Sequence, residues 1–146
     1  EMENQQGKVW FITGASKGMG LELTKLLLSK GNKVVATSRN AQSIKNEIGV
    51  NQNLLALNVD ITSDDSVKKA IEETANTFGC IDVVVNNAGY GMLGALEELS
   101  DEESRQNFDV NVFGSLNVIR KVLPQLRKQQ SGHIFNISSI IQVVFN

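Results

Sequence analysis

Three glycines in one short segment carry the clearest chemical signal in the sequence. Residues 13–20 read Thr-Gly-Ala-Ser-Lys-Gly-Met-Gly and follow an apolar run. Gly14 permits a sharp exit from a strand, Gly18 lets a pyrophosphate approach the backbone, and Gly20 lets the next helix pack closely on a sheet. Because helix N-termini attract anions, this spacing predicts a bound nucleotide. The alternative is a glycine-rich turn without a ligand.

Short apolar runs alternate with amphipathic stretches on both sides of these glycines. The pattern predicts strands at residues 9–12, 34–36, 54–57, 81–85 and 134–137. It predicts helices at 18–30, 41–48 and 63–79, and a long helix that begins at the capping box of Ser100 and Glu103 and runs to Leu126. We expect Pro124 to bend or end this last helix.

Strands that are apolar on both faces and alternate with helices indicate a parallel sheet covered by helices on each side. Right-handed crossovers then favour the doubly wound α/β arrangement of the Rossmann fold, with residues 1–146 as one domain. Such sheets bind ligands at the carboxyl ends of their strands, so we expect the functional residues to follow the strands.

Composition excludes several other classes of protein. The chain has 146 residues, is 41% hydrophobic and carries a formal net charge of −2. Its apolar runs are far shorter than the roughly 20 residues of a membrane span, and the charge balance lacks the basic footprint of a nucleic-acid binder. The single cysteine, Cys80, excludes an internal disulfide and a multi-cysteine metal site. The polar segment 1–8 lacks an apolar signal, which predicts a cytoplasmic protein.

Five motifs, in order, resemble those of the short-chain dehydrogenase/reductase family in its single-domain branch. They are residues 13–20, Val-Asp-Ile-Thr at 59–62, Asn-Asn-Ala-Gly at 86–89, Asn-Phe-Asp-Val-Asn-Val-Phe-Gly at 107–114, and Asn-Ile-Ser-Ser at 136–139. The resemblance covers nearly the whole chain. It implies five of an expected seven strands, an oxidoreductase that interconverts an alcohol and a carbonyl with a nicotinamide cofactor, and a homodimer or homotetramer that associates partly through the long helix.

The resemblance also implies which residues bind the cofactor. The glycine segment contacts the pyrophosphate, Asp60 and Ile61 meet the adenine, and the segment after the fourth strand meets a ribose. The implied cofactor-binding residues are Gly14, Ser16, Lys17, Gly18, Met19, Gly20, Ser38, Arg39, Asp60, Ile61, Asn87, Ala88 and Gly89. For Asp60 the alternative is a cap of the helix near Ser63, and Asn86 is expected to tie neighbouring strands together.

Ser38 and Arg39 favour NADP(H) over NAD(H). Ser38 stands where NAD-preferring relatives carry an acid, so nothing there repels a 2′-phosphate. Arg39 offers a planar donor fork suited to phosphate, and Lys17 adds a second positive charge. The alternative is that both cations are ordinary solvated side chains.

Only part of the catalytic set that the resemblance implies is present. The family holds the substrate oxygen with a serine, here Ser139, and protonates it with a tyrosine assisted by a lysine four residues later; Asn111 corresponds to the asparagine that supports the lysine. For Asn111 the alternative is a buried polar side chain at a local kink. The only tyrosine, Tyr90, is followed four residues later by Gly94.

We therefore expect the gene to be longer than these 146 residues. The alternative is a non-catalytic dinucleotide-binding module, a sensor or scaffold, that lacks the tyrosine and lysine. The apolar, glycine-flanked segment 90–94 is expected to line the substrate entrance and favours a lipophilic small-molecule carbonyl or alcohol.

Overall fold

A five-stranded parallel sheet forms the centre of the molecule. The computed structural model describes residues 7–92 and 96–138, residue 96 by its backbone alone. The sheet order is β3-β2-β1-β4-β5 and every neighbouring pair is parallel. The strands are β1 (Val9–Ile12), β2 (Lys33–Ser38), β3 (Leu54–Asn58), β4 (Val83–Asn86) and β5 (His133–Asn136). The sheet and its flanking helices confirm the predicted doubly wound fold.

Helices cover both faces of the sheet and enclose two separate cores. They are α1 (Gly18–Ser29), α2 (Ala41–Ile48), α3 (Asp64–Phe78), α4 (Asp101–Phe108) and α5 (Ser115–Gln129), with a 3₁₀ turn at Leu96–Glu98 and a π-helical turn at Asp109–Gly114. One core contains residues of α1 and α2, among them Leu27 and Ile44. The other contains residues of α3 and α5, among them Val67 and Val118. Among the described residues no helix is both long and apolar enough to cross a membrane.

The fourth strand begins two residues later than predicted. Ile81 is fully buried, as its apolar character suggests. However, its N–H donates to Gln129 Oε1 (3.0 Å) and its C=O accepts from Gln129 Nε2 (2.8 Å). Because a side chain of α5 takes both backbone groups, Ile81 does not pair with a neighbouring strand.

The predicted long helix is divided by the π turn and does not end at Pro124. The π turn separates α4 from α5, and α5 continues five residues beyond Pro124 to Gln129. Pro124 is exposed, whereas Val122 and Leu126 on either side of it pack into the core. This packing holds the helix together across the hydrogen bond that proline cannot donate.

Candidate functional site

The carboxyl ends of the parallel strands bring the predicted cofactor-binding residues to one edge of the sheet. Gly14 follows β1, Arg39 follows β2, Asp60 follows β3 and Asn87 follows β4. At the end of β4, the buried Asn86 donates from Nδ2 to Asn136 Oδ1 of β5 (2.9 Å), so it ties strands together as predicted. Ser139 lies outside the described residues.

The glycine segment is closely packed against the loop that follows β4. Gly14 has a φ of +64°, and a Cβ there would lie 2.8 Å from Ala88 Cα. A Cβ on Gly20 would lie 2.5 Å from Asn87 Nδ2 and would also meet the Gly14 carbonyl oxygen. Neither position accommodates a side chain, which explains two of the three glycines by geometry.

The N-terminus of α1 presents unused hydrogen-bond donors. The side chains of Asn40, Ser63 and Ser100 cap α2, α3 and α4. Lys17, at the corresponding position of α1, makes no side-chain cap. Among the described residues, no group accepts from the N–H of Gly18, Met19 or Gly20. These donors are oriented for an anion.

Thr13 and Asn87 join the glycine segment to the loop after β4. Thr13 is buried, and its Oγ1 accepts from the N–H groups of Asn87 and Ala88, both at 3.0 Å. Asn87 Nδ2 donates to the carbonyls of Thr13 (3.2 Å) and Gly14 (3.1 Å). The Asn87 amide group therefore acts as a brace. Because Thr13 takes the N–H groups of Asn87 and Ala88, it is the carbonyl groups of these two residues that remain for a ligand among the described residues. Sequence reasoning missed the Thr13 hydroxyl, whose signal is a hydroxyl residue directly after an apolar strand.

Two cations follow the first two strands, Lys17 at the N-cap of α1 and Arg39 directly after β2. Lys17 and Arg39 are both exposed, and neither forms an ion pair within the part of the chain that the structure describes. Ser38 is half-buried, and its Oγ accepts from the Asn40 N–H at 3.0 Å. The end of β2 is therefore suited to an anionic group.

At the end of β3, Asp60 shapes its own loop. Asp60 Oδ1 accepts from the Thr62 N–H (2.9 Å) and from Thr62 Oγ1 (2.6 Å). The cap of α3 is Ser63, not Asp60, because Ser63 Oγ accepts from the Ser66 N–H. No described group accepts from the N–H of Ile61. This leaves Asp60 Oδ2 and the Ile61 N–H for a ligand.

Asn111 lies in the π turn and holds the backbone of Tyr90. Its Oδ1 accepts from the Tyr90 N–H (2.9 Å), and its Nδ2 donates to the Tyr90 C=O (2.8 Å). Asn107 Nδ2 donates to the same carbonyl at 2.8 Å, a contact that sequence reasoning missed. The side chain of Asn111 thus satisfies backbone groups of Tyr90, in the loop after β4, from its place in the π turn.

The segment predicted to line a substrate entrance is described only in part. Tyr90 is exposed and Met92 half-buried at the end of the loop after β4. Leu93 and Gly94 lie outside the described residues. Four features lie at this edge of the sheet. They are the helix N-terminus with its unused N–H donors, the two cations Lys17 and Arg39, the free carboxylate oxygen of Asp60, and the loop held by Thr13 and Asn87.

Comparison with known proteins identifies the family of the chain. The family model described as short chain dehydrogenase matches residues 8–145. The chain belongs to the short-chain dehydrogenase family. An uncharacterised oxidoreductase of Staphylococcus saprophyticus is 41% identical to it over 99% of this chain and 60% of its own length. The 3-ketodihydrosphingosine reductase of Bacteroides thetaiotaomicron is 40% identical over 92% of this chain and 48% of its own length.

Solved structures of short-chain dehydrogenase relatives have the same fold. A 3-ketoacyl-(acyl-carrier-protein) reductase from Brucella melitensis, complexed with NADH, matches with a TM-score of 0.83 and 34% identity over 92% of this chain and 58% of its own. ElxO with NADP bound matches with a TM-score of 0.84 and 29% identity over 91% of this chain and 56% of its own. The chain therefore spans about half to three-fifths of the length of these relatives.

Proposed function

We propose that this chain is the NADP(H)-binding portion of an oxidoreductase that interconverts an alcohol and a carbonyl by hydride transfer. The observation that carries the proposal is the N-terminus of α1, where the N–H groups of Gly18, Met19 and Gly20 have no acceptor among the residues that the structure describes. Two relatives have been solved in complex with NADH and with NADP, which supports a nicotinamide dinucleotide as the ligand.

The glycine segment fits the pyrophosphate of such a cofactor. In this assignment Ser16, Lys17 and the N–H groups of the first turn of α1 would contact the phosphates. Gly14 and Gly20 keep side chains out of the contact with the loop after β4. The backbone of Asn87, Ala88 and Gly89 would then face the ribose on the nicotinamide side.

The end of β2 supports NADP(H) as the cofactor rather than NAD(H). The 2′-phosphate of the adenine ribose would lie between Arg39 and Lys17, neither of which is paired with a described carboxylate. Ser38 adds no negative charge there. Farther along the same edge, Asp60 would accept from the adenine amino group and the Ile61 N–H would donate to a ring nitrogen.

The cofactor supplies or receives the hydride, and the protein must hold the substrate oxygen and move a proton. As charge develops on that oxygen, a positioned hydroxyl stabilises it. We propose that Ser139 performs this role and that Asn111 supports the proton donor from the π turn. The tyrosine and lysine of the family are absent from these 146 residues, so the proposal requires them elsewhere in the full-length protein.

We propose a small lipophilic carbonyl or alcohol as the substrate. Tyr90 and Met92 lie next to the braced loop, at the end from which a substrate would approach the nicotinamide. The relative named 3-ketodihydrosphingosine reductase supports a lipophilic substrate.

A fluorescence titration tests the cofactor assignment. NADPH is added to the purified chain, and we expect its emission to change on binding, with NADH binding more weakly. A titration in which NADPH emission never changes would overturn the proposal. NADPH binding without turnover by the full-length protein, over a panel of carbonyl substrates, would instead favour a sensor or scaffold, the function suggested by the missing tyrosine and lysine.

A further inference from the structure

Within the described part of the chain, one side-chain hydrogen bond ties the loop after β3 to α5. Asn117 lies in the first turn of α5 and is half-buried, and its Nδ2 donates to the Ile61 C=O at 3.0 Å. The two residues are 56 positions apart in the chain. Asn117 Oδ1 in turn accepts from Arg120 at 3.0 Å, which fixes the orientation of the amide.

This hydrogen bond completes the support of the two peptide groups on either side of the Ile61 α-carbon. The preceding peptide group is held because the Asp60 C=O accepts from the Ser63 N–H at 3.1 Å. The following one contains the Ile61 C=O, held by Asn117, and the Thr62 N–H, which donates to Asp60 Oδ1. Asn117 therefore fixes the peptide group that orients the Asp60 carboxylate, and this group adjoins the one that carries the Ile61 N–H.

Packing brings the loop and the helix into close contact at the same place. The Ile61 side chain is buried in the core that includes Val118. A Cβ on Gly114, the last residue of the π turn, would lie 2.6 Å from Ile61 Cγ1 and Cδ1. The loop thus rests directly on the segment from Gly114 to Val118, with Asn117 providing its polar attachment.

We propose that Asn117 is a positioning residue for the adenine end of the cofactor, an inference that rests on the proposed function. It does not touch the ligand itself. It holds the Ile61 carbonyl so that the Ile61 N–H and the free Asp60 oxygen keep the spacing that an adenine edge requires. The nicotinamide end depends on other residues, so the effect of Asn117 is confined to binding.

The test compares wild-type protein, Asn117→Leu and Asn117→Asp in titrations with NADPH and with adenosine 2′,5′-bisphosphate, which carries the adenine end alone. Removing one neutral hydrogen bond is expected to weaken both ligands about fivefold, equal to about 1 kcal/mol. Asn117→Asp keeps the shape of the side chain but turns an oxygen toward the Ile61 carbonyl, so its loss is expected to be at least as large. This variant also carries the test if Asn117→Leu does not fold.

Gln125→Leu is the matched control, because its amide hydrogen-bonds only to Gln129 in the same helix among the described residues. We expect it to bind both ligands within twofold of wild type. In the full-length enzyme, Asn117→Leu is expected to raise the KM for NADPH about fivefold and leave kcat within twofold of wild type.

Affinities within twofold of wild type in both Asn117 variants would overturn the inference alone, as would a fall in kcat with an unchanged KM. A wild-type protein that binds NADPH but not adenosine 2′,5′-bisphosphate would also overturn it, because the adenine end would then contribute no binding of its own. A wild-type protein that binds neither ligand would overturn the proposed function.

Discussion

Arg39 is the residue at which the choice between NADPH and NADH is tested most directly. Its guanidinium is exposed and has no described carboxylate partner. We expect Arg39→Asp to weaken NADPH binding tenfold or more, about 1.4 kcal/mol, because it replaces an attractive charge with a repulsive one. Fluorescence titration measures the change, with NADH as the comparison ligand.

The control for this charge reversal is Arg127→Asp. Arg127 is exposed in the last turn of α5, which leads into the amino end of β5 and so lies at the opposite edge of the sheet. Its reversal should leave NADPH affinity nearly unchanged. An unaltered NADPH affinity in Arg39→Asp would mean that the 2′-phosphate lies elsewhere.

Ser139 is tested through turnover and not through binding. In the full-length enzyme we expect Ser139→Ala to lower kcat about 100-fold or more, because the donor that we propose for the developing oxyanion is lost. NADPH affinity should be preserved. Its neighbour Ser138 is the weaker candidate for this role, so Ser138→Ala provides the control. A rate near that of wild type in Ser139→Ala would remove this serine from the mechanism.

Gly20 is required by packing whether or not a ligand binds. A methyl group there would meet the Gly14 carbonyl and Asn87 Nδ2, whereas a Cβ on Gly91, in the loop after β4, would have no described atom within 4 Å. Overpacking of a closed site typically costs about 1–3 kcal/mol. Urea unfolding should show a loss of this size for Gly20→Ala and a much smaller change for Gly91→Ala. Equal stability of the two variants would contradict the tight contact.

At the scale of single residues, the sequence predicts contacts between chain neighbours better than contacts between residues far apart in the chain. The glycine segment could be interpreted from sequence because its strand, turn and helix are adjacent in the chain. The Thr13 hydroxyl, by contrast, bonds to residues 74 and 75 positions away, and Asn117 to one 56 positions away. A pattern that spans a few residues of sequence cannot contain such pairs, so these supporting residues are identified only once the fold is known.

Asp64 links two helices and provides a pH-dependent test at the scale of the element. Lys121 Nζ of α5 lies 2.8 Å from Asp64 Oδ2 in the first turn of α3. The hydrogen bond from Lys121 holds the pKa of Asp64 below its ordinary value of 3.8. A group with a lowered pKa in the folded state stabilises the fold above its unfolded pKa, and this contribution disappears as pH falls through the folded value.

Asp64→Asn should therefore make stability depend less steeply on pH below about 4. Urea midpoints measured from about pH 6 downward give the comparison. Asp65→Asn changes the same charge in the same turn, but Asp65 pairs with Lys69 of its own helix and not with α5. If both variants lose the same pH dependence, the contact between α3 and α5 is not its source.

Periodicity identified the type of every major element but not all of its limits. The order of strands and helices follows the predicted one because their apolar patterns are strong. The start of β4 depends on Gln129, a residue of α5 that takes the backbone bonds of Ile81. The course of α5 beyond Pro124 depends on packing against the sheet. Both outcomes are tertiary effects that intrinsic preference does not contain.

The outer surface of α4, the π turn and α5 bears an apolar patch that we propose as a contact between subunits. Phe108, Val112, Phe113 and Leu116 are 40–58% exposed. Their burial in a homodimer or homotetramer would remove this surface from water. We expect full-length protein to sediment as an oligomer at micromolar concentration and Phe113→Glu to shift it toward monomer.

Leu26→Glu is the control for this substitution. Leu26 is 52% exposed on α1, which covers the other face of the sheet from α5. Its replacement should leave the sedimentation coefficient unchanged. Wild-type protein that is entirely monomeric at micromolar concentration would contradict the proposed association, and equal shifts in both variants would show that the patch is not specific.

The π turn constrains how many residues can lie between α4 and α5. A π-helical turn holds about one residue more than an α-helical turn. Deleting one residue from Asp109–Gly114 would therefore close the turn toward a regular α-helix and change the orientation of Asn111, which contacts Tyr90 from within it. Chimaeric proteins that exchange segments with relatives should consequently be joined outside this stretch, and alignments that open a gap within it should be rejected.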